Sequence, residues 1–391
     1  MDSLDIFLIL IFVLVQVRIT RLLLPAADRN LSGGMRVVAR AAIFVWDALV
    51  GVSYLLTFSR VVDWIGIPTQ FGMLLGAASL TYLLTATGVM VLHQLLNVVR
   101  NRMGTDTDPS RRRAIKLAAN VAANAAMAAP FVVIGYGALV QRTDFRVREV
   151  DIPLSGLPPD LDGLRLLHLS DIHLSAFLSE AELARVIDAS RELRPSVAVV
   201  TGDLISGRRD PLDACLRQLA RLKTDAGVFG CMGNHERFAR LEKTTAREAA
   251  RMGVRFLRGE AQQLRFGNSV LNLAGVDFQS ARAKDRYLEG AERLIVPGAA
   301  NLLLSHNPDV FPKAVQQGYN LLLAGHTHGG QVTVEILDRF VNPARFLTPY
   351  VYGLYRTGTA AAYVTRGIGT IGIPVRTGAP PEISLLRLRK A

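Results

Sequence analysis

Leu164-Arg165-Leu166-Leu167-His168-Leu169-Ser170-Asp171-Ile172-His173 is the stretch that decides the fold. Its first six residues form a short, largely apolar run with the length of a buried strand. The run stops on an Asp-x-His pair, and alternate residues of an extended segment project to the same side. The same arrangement recurs downstream. Val197–Thr201 runs into Gly202-Asp203, Gly227–Met232 into Gly233-Asn234-His235-Glu236, Leu302–Leu304 into Ser305-His306, and Leu321–Ala324 into Gly325-His326-Thr327-His328-Gly329-Gly330. Glu180–Leu193, Leu212–Lys223 and Asp309–Gln317 lie between these runs and read as helices. Alternation of this kind predicts an α/β domain with largely parallel pairing, whose ligands sit beyond the carboxyl ends of the strands.

Five of the chain's seven histidines fall in those short loops. Carboxylate, amide oxygen and imidazole together suit manganese, iron or zinc. With Cys215 and Cys231 as the only thiols, a cysteine-based zinc module is excluded. Whether the two cysteines pair is left open by the sequence. The pattern fits two metal ions sharing one carboxylate, and glycines before Asp203, Asn234 and His326 let the backbone turn tightly off each strand. His168, three residues before Asp171, reads as a strand residue, and Glu236 as a group that fixes its loop.

The first 140 residues have a different texture. They hold 7 Asp, no Glu and 12 Lys/Arg, whereas the 391-residue chain has 33 acids and 45 bases. An apolar content of 50% and a mean hydropathy of +0.26 exclude a disordered chain and a small disulfide scaffold. Because a bilayer core needs about 20 apolar residues in a helix, four spans are predicted, at about 4–24, 41–59, 71–99 and 117–140. Arginines concentrate after the first span (Arg29, Arg36, Arg40) and after the third (Arg100, Arg102, Arg111, Arg112, Arg113). The positive-inside rule then puts both chain ends outside the cytoplasm. Ser110–Lys116 also resembles a twin-arginine export signal. The expected organisation is a four-helix transmembrane region over 1–140, a linker over 141–163, and a catalytic domain over 164–391 on the extracytoplasmic side of the cell membrane.

From residue 164 on, the chain resembles the calcineurin-like metallophosphoesterase family. Its pattern of Asp-x-His, Gly-Asp, Gly-Asn-His-Glu, His and Gly-His-x-His is present in full. The resemblance implies two mixed sheets sandwiched between helices rather than a purely parallel sheet. It also implies two divalent metal ions, manganese first and then iron, zinc or magnesium. One would be held by Asp171, His173 and His328 and the other by Asn234, His306 and His326, with Asp203 bridging. His235 would act as general acid or as a charge-stabilising imidazolium, and a water activated between the ions would attack phosphorus in line.

A departure limits the substrate. The protein-phosphatase branch has a second Asp and an Arg shortly after the bridging Asp, whereas Leu204-Ile205-Ser206-Gly207 follows here. A phosphoprotein substrate is therefore not expected. The tail, Tyr363–Gly369, Pro374-Val375-Arg376 and Pro380–Ile383, is similar to the membrane-associated bacterial branch that includes phosphodiesterases and UDP-2,3-diacylglucosamine pyrophosphatases. Arg366 and Arg376 are candidates for holding phosphate through bidentate contacts. The aromatic and cationic segment Phe340–Tyr355 suits a lipid–water interface.

The expected function is hydrolysis of a phosphodiester, pyrophosphate or phosphomonoester bond, with the bilayer and a phosphorylated small molecule or lipid as partners. In the alternative, the helices transport or sense and the phosphoesterase domain regulates them, but Asp47 and His93 are the only strongly ionisable groups deep in the spans. A pI near 10.1 invites a nucleic-acid partner. Retention of arginines at membrane borders already accounts for that charge.

Overall fold

The computed structural model describes residues 3–58, 82, 85–88, 90–91, 94–95, 98, 132–331, 333–336 and 339–391. The chain divides into two compact units, Met1–Tyr136 and Gly137–Ala391.

The second unit is built from strands β1 (Arg146–Leu154), β2 (Arg165–Leu169), β3 (Val197–Val200), β4 (Val228–Gly230), β5 (Val254–Phe256), β6 (Glu260–Phe266), β7 (Ser269–Gly275), β8 (Ala300–Leu304), β9 (Leu321–Ala324), β10 (Val334–Ile336), β11 (Arg339–Val341), β12 (Gly353–Thr357), β13 (Ala360–Val364) and β14 (Glu382–Lys390). Two six-stranded sheets result, in the orders β1-β14-β2-β3-β4-β5 and β12-β13-β9-β8-β7-β6, with β10 and β11 forming a separate hairpin.

Alternating side chains sort the core into three layers. From β2 and β3, Leu166, Val197 and Val199 meet Leu302, Leu304, Leu321, Leu323 and Tyr363 of the other sheet. Their neighbours Leu167, Leu169, Ala198 and Val200 face the opposite way, onto helices Glu180–Glu192 and Leu212–Leu219. The far face of the second sheet, including Leu303 and Leu322, packs on helix Phe311–Gln317 and the segment around Tyr287–Ala291. The architecture is helix, sheet, sheet, helix. Local signals agree with it: Ser179 Oγ accepts from the Glu182 N–H at 3.2 Å while Glu182 accepts from the Ser179 N–H at 2.7 Å, closing a capping box at the first helix of this unit.

Pairing departs from the largely parallel expectation. The β2–β3–β4–β5 and β7–β8–β9–β13 runs are parallel, but β14 is antiparallel to β2, β6 to β7, and β12 to β13. β1 lies within the segment expected as a linker. It is a nine-residue edge strand parallel to β14.

In the first unit, helices Ser3–Asn30 and Gly33–Phe58 take in nearly all of the first two expected spans. Among the described residues, however, no helix is long and apolar enough to cross a membrane, so the four-span region is not supported. Arg18, Arg21, Arg36, Arg40 and Asp47 interrupt the apolar runs of these two helices. The third expected span, 71–99, lies mostly outside the described residues, and so does the fourth up to 131. His93 and the arginine-rich stretch 110–116 are also outside them. Asp47 is engaged within the unit: the Gln16 amide and the Thr20 hydroxyl donate to it, the latter at 2.8 Å, and Gln16 in turn accepts from the Tyr82 hydroxyl at 2.9 Å.

Leu323 is fully buried at the centre of the inter-sheet layer. Leu323→Ala is expected to destabilise the second unit by about 2–5 kcal/mol, read as a shift in the denaturant midpoint. A change below about 0.5 kcal/mol would place Leu323 outside a close-packed layer.

Candidate metal centre

The ligand-type residues sit just beyond the carboxyl ends of β2, β3, β8 and β9, and at the start of helix Asn234–Ala239 after β4. Their backbone is unusual. Asp171 (φ 51°), His173 (48°), Asp203 (54°), His326 (74°) and His328 (51°) all adopt the left-handed conformation, which costs an L-residue about 1–2 kcal/mol. Strain repeated at five side chains aimed into one place marks a functional cluster. Space around it is equally constrained. A methyl at Gly233 would overlap the Asp203 carboxylate, and one at Gly325 would overlap Ser170 and Asp171.

Within this cluster Asp171, His173 and His328 bring one ligand atom each within 4.8 Å of one another, and so do Asp203, His306 and His326. His173 and Asp203 form a third such set with His235. His173 Nε2 and His328 Nε2 are 3.2 Å apart, and His326 Nδ1 faces His306 Nε2 at 3.1 Å. Asp203 Oδ2 lies 3.0 Å from His306 Nε2 and 3.5 Å from His173 Nε2. The far nitrogens are tied down: His306 Nδ1 to the Thr201 carbonyl at 2.6 Å, His328 Nδ1 to the Gly369 carbonyl at 3.3 Å, and His173 Nδ1 to Ser206 Oγ at 3.1 Å. Such tethers fix which nitrogen each ring presents.

These residues fit divalent cations. Asn234 Oδ1 is buried without a hydrogen-bond partner, which is costly for an amide oxygen unless a cation takes that place. Burial holds the His173 and His328 pKa values well below the ordinary imidazole range, with the Arg376 charge adding to the effect at His328, so both rings are neutral donors. At His306, burial is outweighed by Asp203 and Asp171, which raise its pKa to about 10. The buried carboxylates thus draw positive charge into the site. Asp171, His173 and His328 would hold one ion and Asn234, His306 and His326 the other, with Asp203 reaching both.

The remaining expected residues are placed as follows. His235 is half-buried, its ring centroid 4.7 Å from that of His173 in an edge-to-face arrangement, and its Nδ1 is 2.7 Å from the Ser206 carbonyl. His168 is a buried strand residue bonded to Thr201 Oγ1 at 2.8 Å. Glu236 accepts from the Gly233, Asp203 and Leu204 N–H groups at 2.8, 3.0 and 2.7 Å, clamping two ligand loops together. Cys215 and Cys231 are buried and unbridged, and burial raises both thiol pKa values.

The reading of Arg376 as a phosphate-binding group is corrected. It is fully buried, and its guanidinium is spent on the carbonyls of Arg366, Gly367, Gly369 and Ala379, with Nη2 3.0 Å from Arg366 O and Nη1 3.0 Å from Ala379 O. It positions the loop against His328. Arg366 is only partly buried and stacks on Tyr352.

The sequence reading missed Asp210. Its carboxylate accepts from the Ser206 N–H at 3.0 Å and the Gly207 N–H at 2.7 Å, and so fixes the residue whose carbonyl orients His235 and whose hydroxyl meets His173. This answers the missing carboxylate after Asp203: a backbone carbonyl is the partner of His235, and the acid acts one step behind it. Asp210→Ala is expected to lower turnover about tenfold or more through misorientation, with metal content unchanged and Asp210→Asn milder. Unchanged turnover in Asp210→Ala would remove Asp210 from the positioning of His235.

Comparison with known proteins agrees with this geometry. Residues 164–330 match the family model for calcineurin-like phosphoesterase. The chain is 31% identical over 272 residues to a zebrafish (Danio rerio) "transmembrane protein with metallophosphoesterase domain", an alignment covering 66% of this chain and 61% of that protein. It is 28% identical to the bovine (Bos taurus) protein of the same description, covering 80% of this chain and 71% of the relative. With the metallophosphoesterase YkuE of Bacillus subtilis it shares 29% identity, over 65% of this chain and 89% of that one. The match to the calcineurin-like phosphoesterase model is confined to residues 164–330, the part of the chain that carries the ligand cluster, and the chain spans less than two thirds of the zebrafish relative's length.

Proposed function

We propose that the chain is a divalent-metal-dependent phosphoesterase that hydrolyses a phosphodiester, pyrophosphate or phosphomonoester bond. The observation that carries this reading is the convergence of two imidazole pairs, buried at His173, His328 and His306 and open to the surface at His326, and the partnerless Asn234 amide oxygen on Asp171 and Asp203. Divalent ions held there would offset charge on the phosphoryl oxygens and lower the pKa of an attacking water. The chain's own residues supply the rest. His235, fixed through Nδ1 by the Ser206 carbonyl, has its other nitrogen available to protonate the departing oxygen. The neighbouring His173 ring holds His235 edge-on. No side chain need form a covalent bond to phosphorus.

The further parts of the reading are a membrane location, a catalytic unit on the extracytoplasmic side, and a lipid-linked or nucleotide-lipid substrate. The apolar runs of the first 140 residues, the clustering of arginines between those runs in the sequence and the description of the zebrafish and bovine relatives support the membrane location. Manganese is the ion to try first for an oxygen- and imidazole-rich donor set without thiolate.

Full-length chain purified in detergent and supplied with Mn²⁺ is expected to hydrolyse bis-p-nitrophenyl phosphate, and chelation is expected to abolish this. Asp203→Asn is expected to lose at least about 100-fold in kcat together with bound metal. An active, metal-replete Asp203→Asn would contradict the shared-carboxylate site. Carbonate washing of cell membranes is expected to leave the chain in the pellet, and release into the supernatant would overturn the membrane location.

A further inference from the structure

At the rim of the metal centre, Arg366 lays its guanidinium over the Tyr352 ring, with Cζ 3.9 Å from the ring centroid. A second arginine, Arg148 of β1, reaches the same ring at 5.0 Å. Two tethers fix this group beside the His-x-His loop. The stem of Arg366 packs across Gly329, where an added methyl would come within 2.7 Å of Arg366 Cγ, and Gly329 directly follows His328. The Thr327 hydroxyl, between His326 and His328, donates to the carbonyl of Val351 at 2.5 Å, next to Tyr352.

Charge around the group is uneven. Among the described residues, no carboxylate pairs with Arg366 or Arg148. The nearby acids are committed elsewhere: Asp144 to Arg146, Glu149 to Arg387, and Asp151 to Arg387 and Arg389. Glu382, whose charge acts on Arg366, takes hydrogen bonds from the Tyr363 and Ser384 hydroxyls. Two guanidinium groups on one ring repel each other, and Glu382, the acid whose charge reaches Arg366, forms no ion pair with it among the described residues. Stacking fixes the plane of the Arg366 fork and leaves its N–H edge free for an oxyanion.

We infer that Arg366 and Arg148, held on Tyr352, form a second anion site that binds an oxyanion group of the substrate other than the phosphoryl group undergoing hydrolysis. The substrate class is therefore a phosphoester carrying a second phosphate-like group on the side of His328. This rests on the phosphoesterase reading and narrows it.

The test is equilibrium binding by calorimetry to the Mn²⁺-loaded full-length chain. Methylphosphonate supplies one anionic group, and methylene-, ethylene- and propylene-diphosphonate supply two at increasing separation. Wild type is expected to prefer at least one diphosphonate over methylphosphonate by about tenfold or more. Arg366→Ala is expected to lose that preference while its methylphosphonate affinity changes less than about twofold, with Arg366→Lys recovering part of it and thermal melting unchanged. Equal loss for both ligands, an unchanged ratio, or no preference in wild type overturns the inference. Hydrolysis of bis-p-nitrophenyl phosphate is scored separately, so a failed second anion site and a failed phosphoesterase reading give different results.

Discussion

The Asp203 carboxylate is the point on which both ligand sets depend. One oxygen accepts the His235 N–H at 2.8 Å, and the other faces His306 and His173. Its own N–H is held by Glu236, which also holds Gly233 and Leu204. A buried carboxylate so placed would be prohibitively costly without cationic company. The architecture supplies that company by ending parallel strands from two sheets at the same level, and the left-handed residues that follow the strands turn their side chains inward. The fold's rigidity is what makes this backbone strain tolerable: the strands behind the ligands are fully buried from Leu166 to Leu169 and from Leu302 to Leu304.

Much of the site was legible in the sequence because its signals are local. Each ligand loop directly follows an apolar run, so Asp171, His173, Asp203, His306, His326 and His328 could be placed at strand ends without knowing how the strands pair. The parallel strands were legible for the same reason. The rest depends on partners distant in sequence. β14 inserts between β1 and β2, which joins the last residues of the chain to residue 146, and nothing in its apolar alternation names those neighbours. The β6–β7 hairpin carried a local signal, Gly267-Asn268 between two alternating runs, that composition and motif reading passed over. Arg376 shows the opposite error. A cation near a phosphate-type motif suggested substrate contact, but only the fold reveals that backbone carbonyls surround it.

Asp210 illustrates how function can be displaced by one bond. A carboxylate directly on His235 would have raised the basicity of the imidazole. Here the partner is a peptide carbonyl, and the acid stabilises the turn that presents it. That carbonyl fixes the orientation of the ring, and Asp210 fixes the turn behind it. In the first unit, Asp47 likewise takes hydrogen bonds from Gln16 and Thr20.

The central claim is that two cations share Asp203. Anomalous diffraction from crystals grown with Mn²⁺ tests it most directly. The account predicts two peaks, one among Asp171, His173 and His328 and one among Asn234, His306 and His326, with the Asp203 carboxylate between them. A single peak, or peaks away from these side chains, would contradict it.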